Sequence, residues 1–467
     1  MRPPMPPPEV DHLERPEHAA RAAEVRRLVG ATAGTRDYLP WDRMRFKTPP
    51  SGLDHAEWWW AVRSARDAQM RPLPLLVDVE GHPFGFTLPD PLLRDVDRIN
   101  RDASGYITTA EPVTNPATRD RYLVSSLIEE AIRSSQLEGA ATTRVVAKEM
   151  IRSGREPRDT GERMILNNFR AMQHIGELRH ERLTPELVRE IHRIVTDGTL
   201  RDPERAGRLQ DDDGDRIRVV SDSGDVLHAP PPVAQLPERL ERLCRFANDD
   251  GGTTYMPPVL RAAATHFMMG YDHYFVDGNG RTARAVFYWS MLRQDFWLTE
   301  FLTISAVLKA APVQYARAFL LTEQDGGDLT HFFLHQTKVI IRAIEELHAY
   351  LGRKAEELQD VRRATAAPGL ALNHRQLELL EHAVRTPGAQ YSVESHRTSH
   401  RVALETARKD LSDLSDKGLL HKGKVGRRYT WSPVPDLAAR LNEPKHDAAR
   451  ADRCSHVRHL PVLRCTP

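Results

Sequence analysis

From Arg119 to about Tyr350, apolar side chains recur at three- and four-residue steps, the period of helices with one buried face. Val124, Leu127, Ile128, Ala131 and Ile132 line one such stripe, on a helix that Gly139 closes. Thr142 or Thr143 is placed to cap the next run, RVVAKEMIRSG. The same period covers GERMILNNFRAMQHIGEL, PELVREIHRIV and PERLERLCRFAND. One stretch breaks it. Between Gly207 and Pro232, Val219-Val220 and Val226-Leu227 flank Ser223-Gly224-Asp225, a hairpin signal.

Different patterns flank this helical span. Upstream, EWWWAVRSAR predicts a helix with an aromatic face, and LPLLVDVEGHPFGF predicts two short strands joined through Gly81 and Pro83. Downstream, HRQLELLEHAV and LETARKDLSDLSDKG predict amphipathic helices, and LLHKGKVGRRYTWS predicts two strands around a basic turn. Helices followed by such a wing suggest a winged helix-turn-helix. The expected organisation is therefore mainly α, in five parts. A Pro-rich, charged, disordered tail (1–36, with a short helix between Arg15 and Gly30) precedes a small N-terminal α+β module with its own core (37–110). A helical domain with one hairpin (111–355), the winged unit (371–432) and a disordered tail (433–467) follow.

Composition narrows the class without naming an activity. Of 467 residues, 40% are hydrophobic and 28% charged, which excludes wholesale disorder. Lys plus Arg is 66 against 65 Asp plus Glu, so the net charge of +1 gives no global sign of nucleic-acid or membrane affinity. Any basic surface is local, as in 371–432, where 11 Lys/Arg face 7 Asp/Glu. Three cysteines (Cys244, Cys454, Cys465) cannot staple so long a chain and suggest a reducing, cytoplasmic setting. No apolar run reaches the roughly 18 residues of a membrane span, and no signal peptide is expected.

The densest chemistry lies in His273-Tyr-Phe-Val-Asp-Gly-Asn-Gly-Arg-Thr-Ala-Arg284. Apolar periodicity on either side makes this a tight loop opening a helix. Gly278 and Gly280 around Asn279 let backbone N–H groups converge as an anion nest, backed by a helix N-terminus. Arg281 and Arg284, about one turn apart, offer phosphate contacts. Asp277 is a hard oxygen ligand suited to Mg²⁺, and His273 is a base that titrates near neutrality. The combination reads as a metal-bound polyphosphate site beside a general base. By contrast, His82-Pro83-Phe84 lacks nest and arginines and reads as a strand turn. Cys454, His456, His459 and Cys465 match no common zinc spacing.

These residues fill every defined position of His-x-Phe-x-[Asp/Glu]-Gly-Asn-Gly-Arg-x-x-Arg, so the chain resembles the Fic (filamentation induced by cAMP) family. Tyr274 alone departs, from a commonly found Pro. The resemblance implies a Fic-type helical domain and transfer of AMP from ATP, with Mg²⁺, onto a Ser, Thr or Tyr hydroxyl of a target protein or of the chain itself. His273 would deprotonate the hydroxyl and Phe275 would anchor the loop. Asp277 would hold the metal, Asn279 and the nest would hold the α-phosphate, and Arg281 and Arg284 the outer phosphates. Ser134-x-x-x-Glu138-Gly139 resembles the family's inhibitory motif, whose Glu competes with the γ-phosphate for Arg284. The hairpin at Val219, Val220, Val226 and Leu227 corresponds to the family's target-docking flap. A Fic relative that removes AMP or moves another group stays open, as does a DNA-binding regulator that senses ATP. A homodimer, and DNA contact through Arg401, Arg408, Lys409, Lys422, Lys424, Arg427 and Arg428, stay open as well.

Overall fold

The computed structural model describes residues 3–30, 36–103, 116–220, 224, 226–250, 255–365, 372–385, 388–425, 428–435 and 437–442. The chain divides into two compact units, Met1–Asn115 with Arg119–Tyr350, and Pro116–Thr118 with Leu351–Pro467. Most described residues are helical, and among them three two-stranded antiparallel sheets also form. Among the described residues no helix is long and apolar enough to cross a membrane.

The first unit is built around two helices, Pro258–Asp272 and Asn279–Arg293, packed against each other. The second is buried on every face from Arg281 to Leu292, which marks it as the centre of the unit rather than an amphipathic cover. Thr160–Glu177, Pro185–Thr196 and Leu236–Ala247 surround the pair, each burying one stripe. Thr143, Asp159 and Thr184 cap their helices by accepting a backbone N–H, as local sequence requires.

The N-terminal segments belong to this unit. The strands Arg71–Val77 and Pro83–Phe86 pair, and Phe84 packs edge-on to Phe267 and Tyr271 of the first central helix. Gly85 extends the pairing by accepting from the Leu329 N–H and donating to the Gly327 carbonyl. Residues 1–36 were expected to form a disordered tail, and the described part does not. Val10, Leu13, Ala22 and Val25 bury against Leu53, Trp60 and Ala61, and Arg21 forks onto Glu57 at 2.7 and 2.8 Å. The composition of a Pro-rich tail hid a small set of apolar anchors that an aromatic helix, His55–Asp67, was waiting to cover.

In the second unit, His374–Arg385, Val393–His400 and Leu404–Asp416 are followed by the hairpin Leu420–Val425 and Arg428–Pro433. Its core gathers Leu379, Leu380, Leu411, Leu414, Leu420 and Trp431. The Val393–His400 helix escaped the hydrophobic pattern because only His396 is buried in it, although Ser392 and Ser395 form a reciprocal cap. Two acidic residues of Leu404–Asp416 turn to internal bonds. Asp410 is buried and accepts from Arg375, Asn373 and His396, and Asp413 accepts from Gln376 and Lys417. Cys454, His456, His459, Cys465 and most of the expected tail lie outside the described residues.

Candidate functional site

The site is the loop between the two central helices. His273 ends the first helix in the left-handed region (φ 49°, ψ 61°), which turns the chain sharply at a residue that is not glycine. Phe275 is fully buried and its ring stacks on His192, 3.8 Å between centroids and 8° from parallel. Asn279 braces the loop: Oδ1 accepts from the Phe275 N–H at 2.9 Å, and Nδ2 donates to the Phe275 carbonyl at 2.5 Å. Its side chain therefore turns inward onto the loop backbone. Tyr274, expected only as a stand-in for proline, is buried and donates to Asp272 Oδ2 at 2.6 Å. Asp272 in turn accepts from Arg239 at 2.7 Å.

Gly278 is favoured by backbone angle as well as by space, and Gly280 leaves room for a neighbouring side chain. A Cβ on Gly278, whose φ is +82°, would lie 2.6 Å from the Thr196 methyl. A Cβ on Gly280 would lie 2.1 Å from Glu138 Oε1. Behind them the helix Asn279–Arg293 begins, and the first N–H groups of any helix lack an acceptor within it. Asp277 stands at the rim, 61% exposed, with one carboxylate oxygen accepting from Gly278 N–H at 2.5 Å and 4.0 Å from Arg281. Arg281 is buried, donating to the Val195 carbonyl at 2.6 Å while its Nε finds no acceptor. Burial holds its guanidinium below the ordinary arginine range.

Arg284 meets the segment that sequence had singled out about 150 residues earlier. Its Nε donates to Ser134 Oγ at 2.8 Å, and its Nη2 donates to the Ser134 carbonyl at 3.0 Å and to Glu138 Oε1 at 2.9 Å. Ser134 is buried on the helix Pro116–Leu137, and Glu138 follows in the turn that Gly139 closes at φ +91°. The carboxylate of Glu138 thus lies against Gly280 and on Arg284 at once.

His273 sits mostly buried beside Arg216 and His228, and its imidazole is pushed down to about 4, first by burial and then by the Arg216 guanidinium. At neutral pH the ring is uncharged and free to accept a proton. Val219–Val220 pairs with Val226–His228, and Val219, Val220 and Val226 are exposed. The residues between the strands, apart from Gly224, lie outside the described residues.

Sequence reasoning missed His192. Gly207 N–H donates to its Nδ1 at 2.8 Å, so Nδ1 is the acceptor and the proton resides on Nε2, which donates to the Asp277 carbonyl at 2.8 Å. Burial pushes this imidazole down to about 4, which suits the neutral form. Its signal was faint, a single histidine on the apolar stripe of PELVREIHRIV. Arg216 and Gln210 were missed for a different reason, because they lie in an irregular segment without a period.

Residues 182–291 match the model of the Fic/DOC family. The protein adenylyltransferase Fic of Drosophila yakuba is 26% identical over 212 residues, covering 45% of this chain and 40% of that protein. The protein adenylyltransferase fic-1 of Caenorhabditis briggsae is 27% identical over 182 residues, covering 38% and 33%. The chain thus aligns with well under two thirds of the length of these curated relatives. Among solved structures, a Fic family protein from Desulfovibrio desulfuricans G20 superposes with a TM-score of 0.47 at 15% identity, covering 75% of this chain and 97% of that one. Fic-1 of Caenorhabditis elegans gives a TM-score of 0.42 at 21% identity, covering 56% and 72%. The loop motif, complete from His273 to Arg284, lies within the segment that matches the Fic/DOC family model.

Proposed function

We propose that the protein is an autoinhibited protein adenylyltransferase, transferring AMP from ATP to a hydroxyl of a target protein and of itself. The observation that carries this reading is the contact of Glu138 with Arg284 at 2.9 Å, on the floor of a glycine nest beside an uncharged histidine. In the transfer, the target oxygen bonds to the α-phosphorus, the bond from that phosphorus to the bridging oxygen breaks, and pyrophosphate leaves. The hydroxyl proton passes to the His273 imidazole. Catalysis here is positioning and charge neutralisation, tasks for the nest, for Arg281 and for Arg284 once Glu138 is displaced. The rim carboxylate of Asp277 and the orphaned buried Nε of Arg281 suit a bound polyphosphate with its cation. Mg²⁺ held by Asp277 would neutralise phosphate charge. The exposed valines of the hairpin would pair with the target backbone as an added strand.

The test is incubation with ATP labelled at the α-phosphate and Mg²⁺. Label should enter protein in Glu138→Gly and fall by about 10²–10⁴-fold when His273→Ala is added. Retention of more than about a tenth of the transfer after loss of the imidazole would count against the base.

A second reading of the C-terminal unit, a winged helix that contacts nucleic acid, is favoured by one observation. Asp410 and Asp413 are engaged in internal bonds, while Lys422 and Lys424 are exposed beside Tyr429 on the hairpin. Arg427 lies outside the described residues, and the side chain of Arg428 is not described. Binding to duplex DNA that weakens steeply with salt, and less steeply in Lys424→Glu, would support it; no binding at low salt would end it.

A further inference from the structure

Five successive carbonyls, from Tyr271 to Phe275, accept from donors carried by the hairpin and the segment leading into it. His228, on the second strand, meets the Tyr271 carbonyl at 3.0 Å. Arg216, three residues before the first strand, donates from Nη2 to the Asp272 carbonyl at 2.7 Å and from Nη1 to the His273 carbonyl at 2.6 Å. Gln210 donates from its backbone to the Tyr274 carbonyl at 2.9 Å and from its amide to the Phe275 carbonyl at 2.7 Å. Arg216 also ties the set together, donating to Gln210 Oε1 at 2.7 Å.

The chemistry of this strap is specific. The last carbonyls of a helix have no partner inside it, so those of Tyr271 and Asp272 need donors from elsewhere. His273 follows in a left-handed conformation that is costly for a non-glycine residue and persists only where neighbours over-determine it. A guanidinium reaching both flanking carbonyls does that, because its two terminal nitrogens are rigidly spaced. A peptide unit has its N–H opposite its C=O. Holding these carbonyls on the hairpin side therefore fixes the direction of the N–H groups of the same peptide units.

We propose that Arg216, at the root of the flap, is a positioning residue that seats His273 and couples target docking at the flap to it. This rests on the adenylyl-transfer reading. A target strand added to the exposed edge at Val219–Val220 would stiffen the hairpin three residues from Arg216, and so fix the carbonyls on either side of the base. The groups facing the imidazole are Arg216 and His228 from the hairpin side, Asp277 from the loop and Glu138 from the turn after Pro116–Leu137. Loss of Arg216 removes one positive charge from this set as well as the fork.

The experiment uses the full chain with Glu138→Gly, alone and combined with Arg216→Gln or Arg216→Lys. Transfer of label from ATP is measured against ATP concentration, and the His273 ring is titrated by NMR, assigned by its loss in His273→Gln. Arg216→Gln should lower kcat about 10²-fold with KM for ATP within about threefold, because the fork positions the base and not the nucleotide. The His273 titration should rise by about one pH unit, as expected when a neighbouring positive charge is lost. Arg216→Lys should restore the titration, since the charge returns, but only part of the rate, since the fork does not. If Arg216→Gln does not fold, Arg216→Lys carries the comparison through its partial rate and unmoved titration. An unchanged kcat in both variants, a KM rise that accounts for the whole loss, or a titration unmoved by Arg216→Gln would each overturn the assignment. Should Glu138→Gly itself transfer nothing, the adenylyl-transfer reading fails, and the titration alone then decides whether Arg216 seats His273.

Discussion

Replacing Glu138 with glycine should raise automodification by roughly a hundredfold, and the structure allows the size to be argued. Glu138 Oε1 lies 2.9 Å from Arg284 Nη2. Two unit charges at that distance attract by about 6 kcal/mol at an effective dielectric of about 20. The Glu138 side chain keeps 28% of its surface in water, so solvent screening and its own desolvation remove a large part of that gain. A net competition of about 2.7 kcal/mol is reasonable, and relief of that amount corresponds to about a hundredfold in rate. The arginine would not wander when freed, because Ser134 still holds Nε at 2.8 Å and Nη2 at 3.0 Å. The gain thus reflects access to the guanidinium and to the space over Gly280, with no cost of ordering the side chain anew. Glu138→Gln should activate only in part, since its amide oxygen can accept the same bond without the charge. Glu138→Asp withdraws the carboxylate from Gly280 by about 1.5 Å, one C–C bond, and should inhibit more weakly than glutamate. The assay is label transfer from ATP at saturating nucleotide and matched Mg²⁺. Equal automodification by wild type and Glu138→Gly would refute the competition, and would leave Ser134 to Gly139 as a helix end that happens to meet Arg284.

Two other outcomes are expected. Tyr274→Phe leaves Asp272 Oδ2 buried without its donor and should cost about 1–3 kcal/mol of stability, read as a lowered urea midpoint; no change would mean the hydroxyl is dispensable. In the C-terminal unit, burial opposes the charge of Asp410, yet bonds from His396, Arg375 and Asn373 hold its carboxyl well below the usual range. A depressed folded value means the contribution is present above the unfolded value of about 3.9 and is lost as pH falls below it toward the folded value. Thermal midpoints followed through the Trp431 indole signal should therefore drop between about pH 4 and about pH 2 in wild type and drop less in Asp410→Asn; parallel curves would be inconsistent with that role.

How much was legible follows from what carries a period. The helices around the site announce themselves by apolar stripes, and the loop by two glycines and two arginines within seven residues. The Glu138–Arg284 contact was readable only through resemblance to a family, since no spacing rule links residues 146 positions apart. The orientation of Arg281 and Asn279 was not readable. Both were expected to reach outward to phosphate, but Arg281 finds the Val195 carbonyl and Asn279 finds Phe275, bonds that depend on neighbours brought together by the fold. The strap residues Gln210 and Arg216 stayed hidden for the same reason. Their donors serve backbone carbonyls, and a carbonyl looks alike in every residue. The N-terminal anchors Val10 and Leu13 were hidden by the prolines around them, because composition averages over a segment while burial selects single side chains.

The empty space at Gly280 has an evolutionary consequence. On the proposed reading, the missing side chain lets a phosphate approach the nest, and the same gap admits the Glu138 carboxylate, where a Cβ would stand 2.1 Å from Oε1. One vacancy serves the working state and the silent one. A lineage seeking a permanently active enzyme therefore gains little by filling Gly280, which would obstruct the substrate along with its competitor. The open route runs through Glu138, and a lineage seeking tighter control has the same single address. Regulation and catalysis can drift apart here only by changes on the Ser134–Gly139 side of the contact, while the glycine is held in place by both.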